Sequence, residues 1–195
     1  MNRRRFIVAL LSGLIFLTPV FFIGFRKKLK RRKQRFLRPP GALAELDFKQ
    51  QCIGCYKCAT ACPNNCIEMA GFEYGEENVH TPVINPRNRG CIQCMICTQV
   101  CPTGALQPIS TSEEDILKNS KMGLAVIDES LCFSYFGRTC GVCYRACPYP
   151  GKAITVGLFE QPKINADYCT GCGLCEQACI HMPQAIRIIP DYEKA

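Results

Sequence analysis

Sixteen of the seventeen cysteines in this 195-residue chain fall into one repeated spacing. Cys52, Cys55, Cys58 and Cys62 read Cys-x2-Cys-x2-Cys-x3-Cys, followed by Pro63. Cys91, Cys94, Cys97 and Cys101 repeat the pattern ahead of Pro102. Cys169, Cys172, Cys175 and Cys179 repeat it again, with Ile180 in the proline's place. The third copy is stretched: seven residues separate Cys132 from Cys140, and Cys143, Cys147 and Pro148 follow. Zinc sites use pairs of ligands with one long gap and do not need three closely spaced cysteines. Disulfides would not favour four near-identical spacings. A cubane of four irons and four sulfides asks for one thiolate at each corner. Three cysteines two residues apart wrap three corners in a tight loop. The fourth falls where the chain turns into a helix, so it reaches a partner cluster instead. All sixteen cysteines are therefore expected as iron ligands, for four [4Fe–4S] clusters. No copy lacks a cysteine, so three-iron clusters are not expected. His80 and His181 stand alone and are read as non-ligands.

The spacing resembles the bacterial ferredoxin run. A small residue followed by an aliphatic one recurs after each motif, at Cys66-Ile67, Ala105-Leu106, Ala153-Ile154 and Ala185-Ile186. Short strands are expected to begin there, as in Ala153–Val156 and Ile186–Ile189. Others should precede a motif, as in Leu124–Ile127 and Lys163–Asn165. Cys66 thus stands where the other copies have alanine, and reads as a small buried residue, with a redox thiol or fifth ligand as the alternative. Thr111 to Met122 predicts a connector helix: Ser112 and Asp115 resemble a capping box, and Ile116 and Leu117 face inward. Residues 72–90 read as loop. Phe133–Thr139 reads as a shield over the third cluster, or else a docking surface. The fold class is α+β, a ferredoxin-like polyferredoxin of two dicluster modules, preceded by one transmembrane helix. Metal–thiolate bonds replace the large core that the body's few apolar runs do not supply.

The net charge of +8 combines two unlike pieces. Residues 1–38 hold twelve Lys and Arg and no acid, whereas the rest holds twelve bases against sixteen acids, a balance of −4. A uniformly basic surface, as nucleic-acid binding would ask, is disfavoured. Phe6 to Phe25 carries no charge and as a helix would reach about 30 Å, the thickness of a bilayer core. No Ala-x-Ala cleavage site follows, so residues 6–25 read as a retained anchor. Asn2, the pair Arg3 and Arg4, then Arg5, Phe6 and Ile7 resemble a twin-arginine export signal, which carries folded proteins outward. The nine bases from Arg26 to Arg38 pull the other way, towards a cytoplasmic body, and lie along lipid headgroups. The domains read as anchor 1–25, basic juxtamembrane linker 26–45 and four-cluster domain 46–195.

The chain resembles the MauM/NapG ferredoxin-type proteins. The resemblance rests on Arg38-Pro39-Pro40-Gly41-Ala42-Leu43, Met122-Gly123-Leu124-Ala125-Val126, the stretched motif Cys140-Gly141-Val142-Cys143-Tyr144-Arg145-Ala146-Cys147-Pro148, and Cys169-Thr170-Gly171-Cys172-Gly173-Leu174-Cys175-Glu176. It implies a non-enzymatic carrier that relays electrons from a quinol-oxidising membrane iron–sulfur protein towards a reductase or cytochrome, with the cluster domain in the periplasm. The alternatives are a maturation factor for a redox enzyme and, far behind, a nucleic-acid-binding sensor. The family's kinship with iron–sulfur subunits of molybdenum oxidoreductases implies nested cluster pairing, first motif with fourth and second with third. The 21 residues between Cys147 and Cys169 leave a linear pairing open.

Overall fold

The computed structural model describes residues 36–190. The apolar run 6–25, the twin arginines and the bases through Arg35 lie outside the described residues. Among the described residues no helix is long and apolar enough to cross a membrane. In chain order the elements are α1 (Glu45–Gln51), α2 (Lys57–Thr60), β1 (Glu68–Met69), β2 (Pro82–Val83), α3 (Ile96–Gln99), α4 (Glu113–Asn119), β3 (Gly123–Ile127), α5 (Val142–Ala146), β4 (Ile154–Val156), β5 (Pro162–Ile164), α6 (Leu174–Ala178) and β6 (Ile186–Pro190).

Both halves follow one plan. An inner antiparallel hairpin joins the two motifs of each half: β1 pairs with β2, and β4 with β5. An outer antiparallel pair joins the segment before the first motif to the segment after the second. In the second half this is β3 with β6, in register from Gly123 opposite Pro190 to Ile127 opposite Ile186. In the first half it shrinks to a bridge between Ala42 and Leu106, held by Leu43 N–H to Ala105 O at 3.1 Å and Gln107 N–H to Gly41 O at 2.7 Å. The cause is local. Pro39 and Pro40 have no N–H to give, and Gly41 is left-handed with Gln107 O where a β-carbon would stand.

The strands expected at 124–127, 153–156, 163–165 and 186–189 form within a residue or two of those bounds. The loop reading of 72–90 needs correction, because Pro82–Val83 is strand β2. Two residues led by proline leave no alternation to detect. The connector helix is shorter than expected: α4 begins when Ser112 Oγ accepts the Asp115 N–H, and Ile116 packs with Met95 and Ile109. Cysteines make up much of the principal core, beside Leu37, Phe48, Ile84, Ile154, Ile186 and Ile188.

The linker boundary at residue 45 also needs correction. Among the described residues the folded body already includes Leu37, which is fully buried and bridged to Ile84. Arg38, counted from sequence among the headgroup bases, is buried too. All five of its N–H groups are used. Two go to Glu45, at 3.0 and 2.6 Å, and the others to Thr81 Oγ1, Pro82 O and Asn78 Oδ1. Its guanidinium lies between the rings of Phe36 and Phe48, 4.8 and 4.6 Å from their centres. Partial burial would raise Glu45, but Arg38 and Lys49 outweigh it and hold the carboxyl below its ordinary value.

Breaking one partner of such a pair strands the other charge, which costs about 3 kcal/mol or more. Arg38→Ala should lower the apparent melting temperature of the anaerobic protein by several degrees, and Arg38→Lys should recover only part, since a point charge cannot fill a five-donor fork. Glu45 is depressed in the folded state, so its contribution is present above the unfolded carboxylate pKa and lost as pH falls through the folded one. The melting difference between wild type and Glu45→Gln should shrink on acidification across that range; a constant difference would show that the charge is not what matters.

Candidate metal centres

Each cysteine loop is shaped by backbone in the left-handed region. The residue just before the helix of each motif is left-handed: Tyr56, Met95, Gly141 and Gly173, with φ of 65, 58, 54 and 84°. In three motifs the residue before the second cysteine is left-handed as well, at Gly54, Gln93 and Gly171. Alternating the hand of the backbone curls successive N–H groups towards one side and makes a concavity that suits an anionic cluster. For Tyr56, Met95 and Gln93 this conformation costs about 1–3 kcal/mol each, a kind of strain that gathers at functional sites. Sequence reading passed over these three. The signal was present, since Gly141 and Gly173 stand at the offset held by Tyr56 and Met95.

The third cysteine of each motif, Cys58, Cys97, Cys143 or Cys175, starts a helical turn or two. The fourth, Cys62, Cys101, Cys147 or Cys179, lies at the end of it or just beyond. That helix carries the fourth thiol away from its own loop. Three cavities show where it goes. One is lined by Cys52, Cys55 and Cys58 with Cys101. A second is lined by Cys169, Cys172 and Cys175 with Cys147. A third, almost wholly apolar, is lined by Cys132, Cys140 and Cys143 with Cys179. The remaining cysteines lie close as well, Cys97 being in the field of Cys91 and Cys94 and, from the first motif, of Cys58 and Cys62.

The nested order expected by analogy is therefore corrected. The fold pairs the first motif with the second and the third with the fourth. The hairpins explain why: a connection as short as β1–β2 or β4–β5 leaves consecutive motifs face to face.

The donor sets fit cubane clusters. Among the described residues no three His, Cys, Asp or Glu side chains converge on a single ion. The sulfurs line the walls of cavities instead, as a four-cornered group needs. Burial pushes the Cys58 and Cys143 thiols up to about 11 and Cys172 to about 12, so binding must displace their protons. Burial also acts to raise Cys101, but N–H groups led by that of Leu106 hold it below the ordinary thiol value. Cys66 lies 3.5 Å from the Cys62 sulfur. Its hydrogen bond with Cys91 and its burial push it well up, and the same bond draws Cys91 down.

Cys132 and, from the 3-10 turn Phe133–Phe136 that follows it, Phe133 and Ser134 line the third cavity's wall, and Tyr135 OH donates to Pro162 O. Phe136, at the end of the turn, stays exposed. His181 also lines this cavity: its Nδ1 meets Pro183 O at 2.7 Å and its ring packs on Phe133. His80 Nδ1 meets Tyr56 OH at 3.1 Å.

The two halves are stitched where the second set meets the set of Cys169. Cys91 N–H donates to Cys172 O at 2.7 Å, and Gly90 N–H to Gln177 Oε1 at 2.8 Å. Arg87 caps the last carbonyls of α6, at Glu176 and Cys179. A β-carbon on Gly90 would fall 2.7 Å from Leu174 N. Sequence reading did not single out Arg87 or Gly90, because their partners are about ninety residues away.

Two paired cysteine sets in a strand–helix repeat define a dicluster ferredoxin, here twice over. Family models described as 4Fe-4S dicluster domains match residues 51–105 and 124–180. The methylamine utilization ferredoxin-type protein MauM of Methylobacillus flagellatus is 38% identical over 79% of this chain and 68% of its own length. MauM of Methylorubrum extorquens is 35% identical over 92% of this chain and 84% of its own length. The ferredoxin-type protein NapG of Escherichia coli is 35% identical over 86% and 76%. The chain belongs to the MauM/NapG ferredoxin-type family and is a ferredoxin-type electron carrier holding [4Fe–4S] clusters.

Iron content tests the pairing. Cys52→Ser with Cys101→Ser should remove one cluster, about four irons, no more than either change alone; Cys52→Ser with Cys62→Ser should remove two, about eight. Equal losses from the two double variants would refute the linear order.

Proposed function

We propose that all sixteen motif cysteines hold four [4Fe–4S] clusters, and that the chain passes electrons along them from the Cys52 set, through the Cys91 and Cys169 sets, to the Cys132 set, or in reverse. Such clusters supply one-electron transfer at potentials that their surroundings tune. The observation that carries the reading is the seam. Ligand loops of the two modules meet there through the Cys91 N–H to Cys172 O hydrogen bond, so the four sets form one series rather than two separate pairs. Within the modules, Cys97 lies in the field of Cys58, and Cys175 in that of Cys143. Cys55 is the exposed cysteine of the first set, which gives that end of the series access to a partner.

The wider role follows from the relatives and the N-terminal sequence. In this reading residues 6–25 anchor the chain in the bacterial inner membrane, and the twin-arginine-like pattern of Arg3 and Arg4 supports a periplasmic cluster domain. A quinol-oxidising membrane iron–sulfur protein donates, and a reductase or cytochrome accepts, as suits a family of ferredoxin-type proteins that includes NapG.

In membranes from cells expressing the full chain with its partners, a short-chain quinol should bleach the absorbance of all the clusters within seconds. Gly90→Leu, which wedges the seam, should leave about half of that bleaching slow, because two of four sets lie beyond it. Clusters that stay oxidised with quinol yet respond to dithionite would favour a maturation factor. An alkaline phosphatase fused after Ala195 should be active; an inactive fusion would place the domain in the cytoplasm.

A further inference from the structure

One cysteine is left over, and its place is shared by all four copies. Ala105 lines the cavity that Cys101 serves, Ala153 the one that Cys147 serves, and Ala185 the one that Cys179 serves. In the remaining copy the same place, after Cys62, is held by Cys66. All four residues are buried, at 1–4% exposure. Three copies of the fold therefore show that alanine fills the position, and packing alone does not call for a sulfur.

The thiol has company of one kind. Cys62 Sγ lies 3.5 Å away, and Cys91 is its second sulfur neighbour. Both belong to the set proposed to hold the second cluster. The backbone N–H of Gln93 also donates to Cys91 Sγ, at 3.3 Å. A thiol has one proton, and one buried between the sulfurs of two iron-bound thiolates keeps it and points it at them.

We propose that Cys66 is a positioning residue that donates its S–H to the ligand sulfurs of the second cluster and raises that cluster's reduction potential. Reduction adds negative charge to the cluster and its sulfurs, so a donor there favours the reduced form. The other three clusters have a methyl group at this place and gain no such donor. The second cluster adjoins the seam, so the donor acts on the step between the modules. This inference rests on the four-cluster reading.

The test is an anaerobic redox titration of the full chain, followed by electron paramagnetic resonance, with iron counted on each sample. Cys66→Ala, which copies the three sister positions, should move one of the four reductions down, by about a tenfold change in its equilibrium, about 59 mV for one electron. Iron content should not change. Cys66→Ser, which keeps a donor, should restore most of the shift. Four unmoved reductions in a fully loaded Cys66→Ala protein would overturn the proposal while leaving the clusters in place. So would a loss of about four irons, which would make Cys66 a ligand. Wild-type protein with fewer than four clusters would overturn the underlying reading as well.

Discussion

A cysteine can serve only the cluster its backbone lets it reach, and that constraint organises the molecule. The turn of helix between the third and fourth cysteines of each motif turns the fourth thiol away from its own loop. Each loop alone offers three ligands to a group that wants four. Two loops must therefore face each other, and the short hairpins β1–β2 and β4–β5 bring neighbouring motifs into that position. The outer pairing of β3 with β6 then closes the second module across both motifs. The left-handed residues within the loops follow from the same demand, because a chain that curls around a cluster cannot stay on one side of conformational space.

The first module meets the demand with less sheet and more side-chain chemistry. Its outer pairing is a single bridge, and the Arg38 cluster takes over the work of the missing strand. Glu45 comes from α1, Thr81 and Asn78 from the turn before β2, and Phe36 and Phe48 from either side of the guanidinium. One residue thus ties the incoming chain, the first helix and the inter-motif loop together. Arg38 ends a run of bases in the sequence, yet in the structure it is a buried cross-link. Charge counting treats it like the rest of that run.

The same contrast holds for the cysteines. The motif cysteines stand out by spacing, and Cys66 stands out only by breaking a pattern of alanines. Its meaning comes from the sulfur 3.5 Å away. At the seam, Gly90 and Arg87 look ordinary in sequence, and matter because Leu174 and the end of α6 lie against them.

Cysteine spacing determined the cofactor chemistry and the number of motifs, and short aliphatic runs the positions of the longer strands. Each of those depends on residues within about ten positions of one another, where local geometry is already decisive. Tertiary structure alone decided which fourth cysteine joins which loop, that Leu37 and Arg38 belong to the folded body and how the two modules meet. Those contacts join residues tens of positions apart, and nested and linear pairings would use the same local loops. The choice between them lies in the length and pairing of the hairpins, and a two-residue strand led by Pro82 leaves almost no trace in the sequence that encodes it.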